Sequence, residues 1–369
     1  MFGENGPWIA QDNGTLTKRP TRWNKLAHMV WIDSPAGVGF SYDTNPNFVN
    51  GDNITRHESY SALLKFFVKF PEYTYSPLYI SGESYGGHYV PQLAWTILNE
   101  NSKGGAQQIN LQGFLVGNPW TDDNIDGAST TDWIYYHGLV SLNAYNAVNE
   151  ACGTMSLSKA TRDHLPLKQY LMSLKPSNAN ASSLQSCNGA INNFYNEIGP
   201  DIDQYDIYAH CYHNKRGSLD CEDYQAMADY LTSPKVRSAL HVRQQYVTSP
   251  WTICSDVNYV EQWDSVVQIY PQLIAQLGHV MVYSGDVTWN CDMTGSQRWI
   301  ATLNMTVTDK WQAYYTADQQ VAGFYQRFSQ GGSTAQFTFA TVRNAGHMCA
   351  AYEPDRTYKM FENFMAGKF

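Results

Sequence analysis

The strongest constraint on the fold lies between residues 77 and 98. The apolar run Pro77-Leu78-Tyr79-Ile80 passes through Ser81 into Gly82-Glu83-Ser84-Tyr85-Gly86. Val90, Leu93, Ala94, Ile97 and Leu98 then fall on one face of a helix. The pentapeptide is Gly-x-Ser-x-Gly with a strand before it and a helix after it. A chain that turns this sharply needs small residues beside the serine, whose hydroxyl then projects above a sheet. The helix N-terminus and the Tyr85 backbone N–H can stabilise an oxyanion there. Ser84 is therefore the candidate nucleophile, and the surrounding fold is expected to be α/β.

The flanking sequence agrees. His28-Met29-Val30-Trp31-Ile32-Asp33 reads as a buried strand. Tyr60, Leu63, Leu64, Phe67 and Phe70 predict a helix that Pro71 stops. Gly113-Phe114-Leu115-Val116-Gly117 predicts another strand. Alternation of this kind implies a mostly parallel sheet with helices on both faces. The sheet resumes late, at Val280-Met281-Val282-Tyr283 and Phe337-Thr338-Phe339-Ala340-Thr341-Val342, and Met360 to Met365 reads as a closing amphipathic helix. Between these parts the sequence is polar and loop-rich, with cysteines at 152, 187, 211 and 221. The expected organisation is a core over 1–122, a helical and loop cap inserted over 123–222, and the rest of the core over 223–369.

A serine nucleophile needs a base. His347 follows the last predicted strand in Gly346-His347-Met348. It also lies C-terminal to the serine, as the Ser, acid, His order of an α/β-hydrolase requires. Charge excludes other classes: with 24 Lys and Arg against 33 Asp and Glu, net −9, nothing forms a basic patch for nucleic acid. No run approaches the roughly 18 apolar residues of a membrane span. The cysteines and histidines lack metal-ligand spacing, so neither metal nor cofactor is expected. Seven cysteines and glycosylation sequons at Asn13, Asn53, Asn180 and Asn304 point to an oxidising compartment, secreted or vacuolar. No basic-then-apolar leader opens the chain.

Several blocks together resemble the serine carboxypeptidase family along the whole chain. They are Glu4-Asn5-Gly6-Pro7, Trp23-Asn24-Lys25, Asp33 to Tyr42 (DSPAGVGFSY), Gly82 to Pro91 (GESYGGHYVP), Gly117 to Asp122 (GNPWTD) and Ala345-Gly346-His347-Met348. The resemblance implies an α/β-hydrolase that removes C-terminal residues from peptides through an acyl-enzyme. It implies that Glu83 and Glu4 hold the substrate's carboxylate. Two carboxyls held together cannot both ionise easily, so one keeps a proton to donate, and binding should weaken as pH rises. Tyr85 and Met348 would line substrate pockets.

Two departures stand out. The family's Asn-Gly-Gly-Pro-Gly-type segment, expected upstream of Glu4, is not present, so the first strands of the sheet are expected to be missing with it, and Cys254 would pair with a cysteine there. Cys211–Cys221 and Cys152–Cys187 are plausible pairs. The family's Gly-Asp-x-Asp run is here Gly285-Asp286-Val287-Thr288, with Thr288 where the histidine-orienting aspartate belongs. Loss of that charge costs about 10⁴-fold in a related triad. Three arrangements stay open: Asp286 swings in, the acid migrates to Asp122, or the protein is weakly active or a peptide-binding pseudoenzyme. An acyltransferase on the same scaffold is the other rival.

Overall fold

A computed structural model describes residues 1–104, 107–152, 155–156, 175–176, 181–212, 221–330 and 335–369. A short hairpin opens the chain, β1 (Trp8–Ala10) with β2 (Leu16–Lys18). β3 (Asn50–Gly51) leads into α1 (Asp52–Lys69), then β4 (Leu78–Glu83), α2 (Gly86–Ser102), β5 (Leu111–Gly117), α3 (Asp123–Tyr136) and α4 (Leu142–Cys152). β6 (Met155–Ser156), β7 (Lys175–Pro176), α5 (Ala181–Ile198), α6 (Gln225–Thr232), α7 (Pro234–Ala239), β8 (Tyr259–Val260) and α8 (Tyr270–Gln276) follow. The chain ends with β9 (His279–Gly285), α9 (Met293–Thr302), β10 (Thr306–Tyr315), β11 (Val321–Ser329), β12 (Gln336–Val342), α10 (Cys349–Tyr352) and α11 (Pro354–Met365).

The central sheet runs β10-β11-β12-β9-β5-β4. β12, β9, β5 and β4 are parallel, and β10 and β11 add an antiparallel edge. Side chains alternate across it with period two. Phe114, Val116, Val280, Val282, Phe337 and Phe339 face one layer with α1, α2, α8 and α9, where Leu63, Ile97, Tyr270 and Trp299 are buried. Leu115, Met281, Tyr283, Ala340 and Val342 face the other layer with Trp23 and, from α11, Met360, Phe361 and Phe364. Each buried Val, Leu, Ile, Phe or Met side chain among them contributes about 1.5–3 kcal/mol. A third core joins α3, α4 and α5 through Trp133, Ile134, Val148, Ile191 and Phe194, and it takes in Val287 and Trp289 from the loop after β9.

The α/β architecture read from the sequence is present, as are the helices over 60–70 and 90–98 and the strands at 113–117, 280–283 and 337–342. The segment His28–Asp33 is corrected. It is irregular, and Val30 and Ile32 are 50% and 45% exposed. Among the described residues no strand lies beside it, and an extended segment without a partner cannot close its backbone hydrogen bonds. The β10–β11 hairpin was not read from the sequence. Disulfides join Cys152 to Cys187 and Cys211 to Cys221. Cys254 is exposed and outside both bridges.

Candidate active site

Parallel strands place their following loops at one edge of the sheet, and open α/β sheets bind ligands at that edge. β4 delivers Ser84, β5 delivers Asn118, β9 delivers residues 286–291 and β12 delivers His347. Ser84 has φ 60°, in the left-handed region that costs a non-glycine residue of order 1–3 kcal/mol. Its N–H donates to Gly117 O at 3.1 Å, and its carbonyl accepts from Gly87 N–H at 2.8 Å and Trp120 N–H at 2.9 Å. Those bonds hold the strain. Gly87 and Gly82 are the tight glycines, where a Cβ would stand 2.2 Å from Trp120 O and 2.7 Å from the Val90 side chain, whereas a Cβ on Gly86 would meet nothing within 4 Å beyond its own helix backbone.

Two consecutive residues, Asn290 and Cys291, reach the two candidate catalytic side chains. The buried Cys291 thiol lies beside Ser84 and donates to Asn290 Oδ1 at 3.7 Å, and burial pushes that thiol up, so it stays protonated. The Asn290 carbonyl lies 2.8 Å from His347 Nδ1. A carbonyl only accepts, so Nδ1 carries the proton and Nε2 is left as the basic nitrogen. His347 is 3% exposed, its N–H donates to Tyr205 O at 2.6 Å, and the Tyr205 ring packs edge-on at 5.3 Å. Burial pulls its imidazole down to about 4, against the opposing pull of the Asn290 carbonyl.

The structure brings neither candidate aspartate to this histidine. Asp122 is the N-cap of α3 and accepts from Asn124 N–H and Ile125 N–H at 3.0 and 2.8 Å. Asp286 accepts from Asn344 N–H at 2.6 Å, and burial raises its carboxyl. Both carboxylates are committed to backbone N–H groups. The Thr288 hydroxyl bonds backbone groups and not the histidine ring. It donates to Gln204 O at 2.8 Å and accepts from Asn290 N–H at 3.0 Å. A main-chain carbonyl thus occupies the place expected of an acid. Sequence reading missed it because every residue carries one.

Glu83 ends β4 beside Ser84, and Glu4 sits in the turn closed by Gly6 N–H to Gly3 O at 3.0 Å. The two carboxyls hydrogen-bond each other. Burial raises both. Glu83 lies well above the ordinary range because the Glu4 charge adds to burial. One shared proton is the consistent state. The Tyr85 hydroxyl donates to the Asp52 carboxylate at 3.1 Å, as does Tyr259 at 2.8 Å, while Gln262 N–H and Trp263 N–H bond its other oxygen. Tyr85 also stacks on His88 at 4.8 Å. The Met348 sulfur accepts from the Tyr224 hydroxyl at 2.8 Å.

Asn118 is a further buried residue that the sequence marked only as part of a block. Its N–H donates to Tyr283 O at 2.7 Å, its Oδ1 accepts from Gly285 N–H at 3.0 Å, and its Nδ2 donates to Cys291 O at 3.2 Å. It ties the loops after β5 and β9 together.

A family model described as serine carboxypeptidase matches residues 1–367. Over 395 aligned residues the chain is 31% identical to serine carboxypeptidase 24 of Arabidopsis thaliana, covering 99% of this chain and 78% of the relative. It is 32% identical over 381 residues to serine carboxypeptidase-like 28 of the same plant, covering 98% and 76%. Among solved structures it is similar to Kex1(Δ)p, a prohormone-processing carboxypeptidase of Saccharomyces cerevisiae. That likeness has a TM-score of 0.72 at 18% identity, over 99% of this chain and 79% of the other.

Proposed function

The chain belongs to the serine carboxypeptidase family, and on that premise we propose that it removes single residues from peptide C-termini through an acyl-enzyme on Ser84, working at acidic pH. Ser84 Oγ attacks the scissile carbonyl while its proton passes to His347 Nε2. The Tyr85 N–H stabilises the oxyanion. Nε2 then gives the proton to the departing amino group, and the amino acid leaves. Water attacks the acyl-enzyme and loses a proton to Nε2, which passes it to the departing Ser84 Oγ. The free serine and neutral histidine are restored, and the shortened peptide leaves.

The observation that carries this reading is the hydrogen-bonded Glu4–Glu83 pair directly before the nucleophile. An endopeptidase or esterase has no use for a proton-sharing carboxyl pair there. A carboxypeptidase does, because the protonated member can donate to the substrate's terminal carboxylate. The pH range follows from both groups. His347 becomes a free base above about 4. As pH rises through the raised Glu83 pKa, the donor becomes a second negative charge facing the substrate. Turnover of the substrate therefore begins near pH 4 and binding weakens toward alkaline pH.

The two disulfides suit an oxidising compartment, and we place the protein outside the cytosol, in the secreted or vacuolar lumen. Asn13 and Asn304 are exposed and open to glycans, Asn53 is half-buried at the start of α1, and Asn180 lies outside the described residues. The test of function compares one blocked peptide with a free C-terminal carboxylate against the same peptide amidated. The free acid should lose its last residue. Equal cleavage of both would remove the carboxyl pair from the reading.

A further inference from the structure

The histidine of this site is oriented without a carboxylate, and the parts that orient it come largely from outside its own loop. Thr288 is fully buried between Val287 and Trp289, whose side chains belong to the core formed with α3, α4 and α5. Its hydroxyl bridges two backbones, donating to Gln204 O at 2.8 Å and accepting from Asn290 N–H at 3.0 Å. The next atom in line is the Asn290 carbonyl, 2.8 Å from His347 Nδ1. The segment that receives Thr288 also grips the histidine from the other side, since Tyr205 O accepts from His347 N–H at 2.6 Å. Ile207 N–H bonds Val287 O at 3.0 Å, and Val287 N–H bonds Ala345 O at 3.1 Å, closing the ring. Gly346 lies so close to this segment that a Cβ there would stand 2.3 Å from Tyr205 O.

We propose that Thr288 is a positioning residue for the catalytic base: bridging Gln204 and Asn290, it fixes the Asn290 carbonyl as the acceptor that selects the Nδ1–H tautomer of His347. A threonine hydroxyl bonding an N–H two residues on is common in turns and by itself does no more than shape one. Here the turn ends in a carbonyl aimed at the imidazole. The arrangement reproduces the orienting role of a triad acid and omits its charge, so the imidazolium formed during catalysis gains less stabilisation than a carboxylate would give. The arrangement also explains why both nearby aspartates are committed elsewhere without leaving His347 unpartnered.

The inference rests on the carboxypeptidase reading for its catalytic meaning, but its geometry can be tested without activity. Thr288→Val keeps the shape and removes the hydroxyl, and Thr288→Ser keeps the hydroxyl. Long-range proton–nitrogen NMR of protein labelled with ¹⁵N-histidine reports the tautomer, with His347→Gln identifying the signal. The wild type and Thr288→Ser should show one His347 tautomer protonated at Nδ1, and Thr288→Val should show a mixture. With the peptide substrate, Thr288→Val should lose about 10²-fold in kcat with little change in KM, and Thr288→Ser should recover most of it. An unchanged tautomer and kcat in a folded Thr288→Val overturns the proposal. So does a Thr288→Ser variant that has lost both, which would place the role in the methyl group; that arm decides the matter even where the valine variant does not fold. A wild type with the Nδ1–H tautomer but no peptidase activity would contradict the function and leave the positioning intact.

Discussion

Glu83 is one peptide bond from the nucleophile and has its carboxyl raised by burial and by Glu4. Its value to a carboxypeptidase is the proton it keeps. Glu83→Gln replaces a donor that depends on pH with an amide donor that does not. In the wild type KM should rise as pH passes through the raised Glu83 pKa; in Glu83→Gln it should stay nearly flat, with kcat changed only severalfold. Parallel KM curves for the two proteins would show that the pair does not bind the substrate. Ser84 and His347 stood out as candidates in the sequence because their chemistry is in the side chain and their neighbours fix the backbone, and Glu83 entered through the family resemblance. Asn290, Gln204 and Tyr205 did not stand out, since their contributions are main-chain carbonyls. Asp122 and Asp286 looked available from position alone, yet backbone N–H groups had already claimed them.

Among the elements, those with both faces buried were the most legible. β5 and β9 are mostly apolar because they lie between parallel neighbours, while β12 alternates Phe337 and Phe339 with Thr338 and is buried on both faces. The β10–β11 hairpin was invisible because β10 is mostly exposed and mixes polar with aromatic residues, so its pairing is set by tertiary contact rather than by pattern. His28–Asp33 shows the converse, a strand-like sequence without a strand beside it. Helices α4 and α5 pack against the loop after β9. The Cys152–Cys187 bridge joins them, and their shared core buries Val287 and Trp289 on either side of Thr288. Replacing both cysteines by alanine should cost about 2–4 kcal/mol of stability. It should also lower kcat more than it raises KM, because the α4–α5 core packs against Val287 and Trp289 beside Thr288. Thermal unfolding together with steady-state kinetics checks this, and a stability loss with unchanged kcat would uncouple these helices from His347.

At the scale of the whole molecule, several carboxyls are shifted by desolvation. Glu4, Glu83, Asp126, Asp203, Asp206, Glu222, Asp286 and Asp292 are all raised, with burial the first cause in each. Asp206 reaches about 6, and Glu222, which hydrogen-bonds Asp203, about 8. A carboxyl raised by folding stabilises the native state below its unfolded pKa, and that stability is lost as pH rises through the folded value. The half-buried imidazole of His279 and the buried one of His347, both lowered, act oppositely as pH falls below the ordinary histidine value. The carboxyls outnumber them, so Tm should be higher near pH 5 than at pH 8, and Glu222→Gln should shrink the difference. A Tm that rises from pH 5 to pH 8 would contradict this. An enzyme stable in acid, with a base that stays neutral down to about pH 4, fits the proposed compartment and reaction. If Ser84 removes C-terminal residues from peptides, the wild type should release the C-terminal amino acid from a blocked dipeptide at pH 5, and folded Ser84→Ala should release none. Equal release by both proteins, or none by a folded wild type, would contradict the proposed reaction.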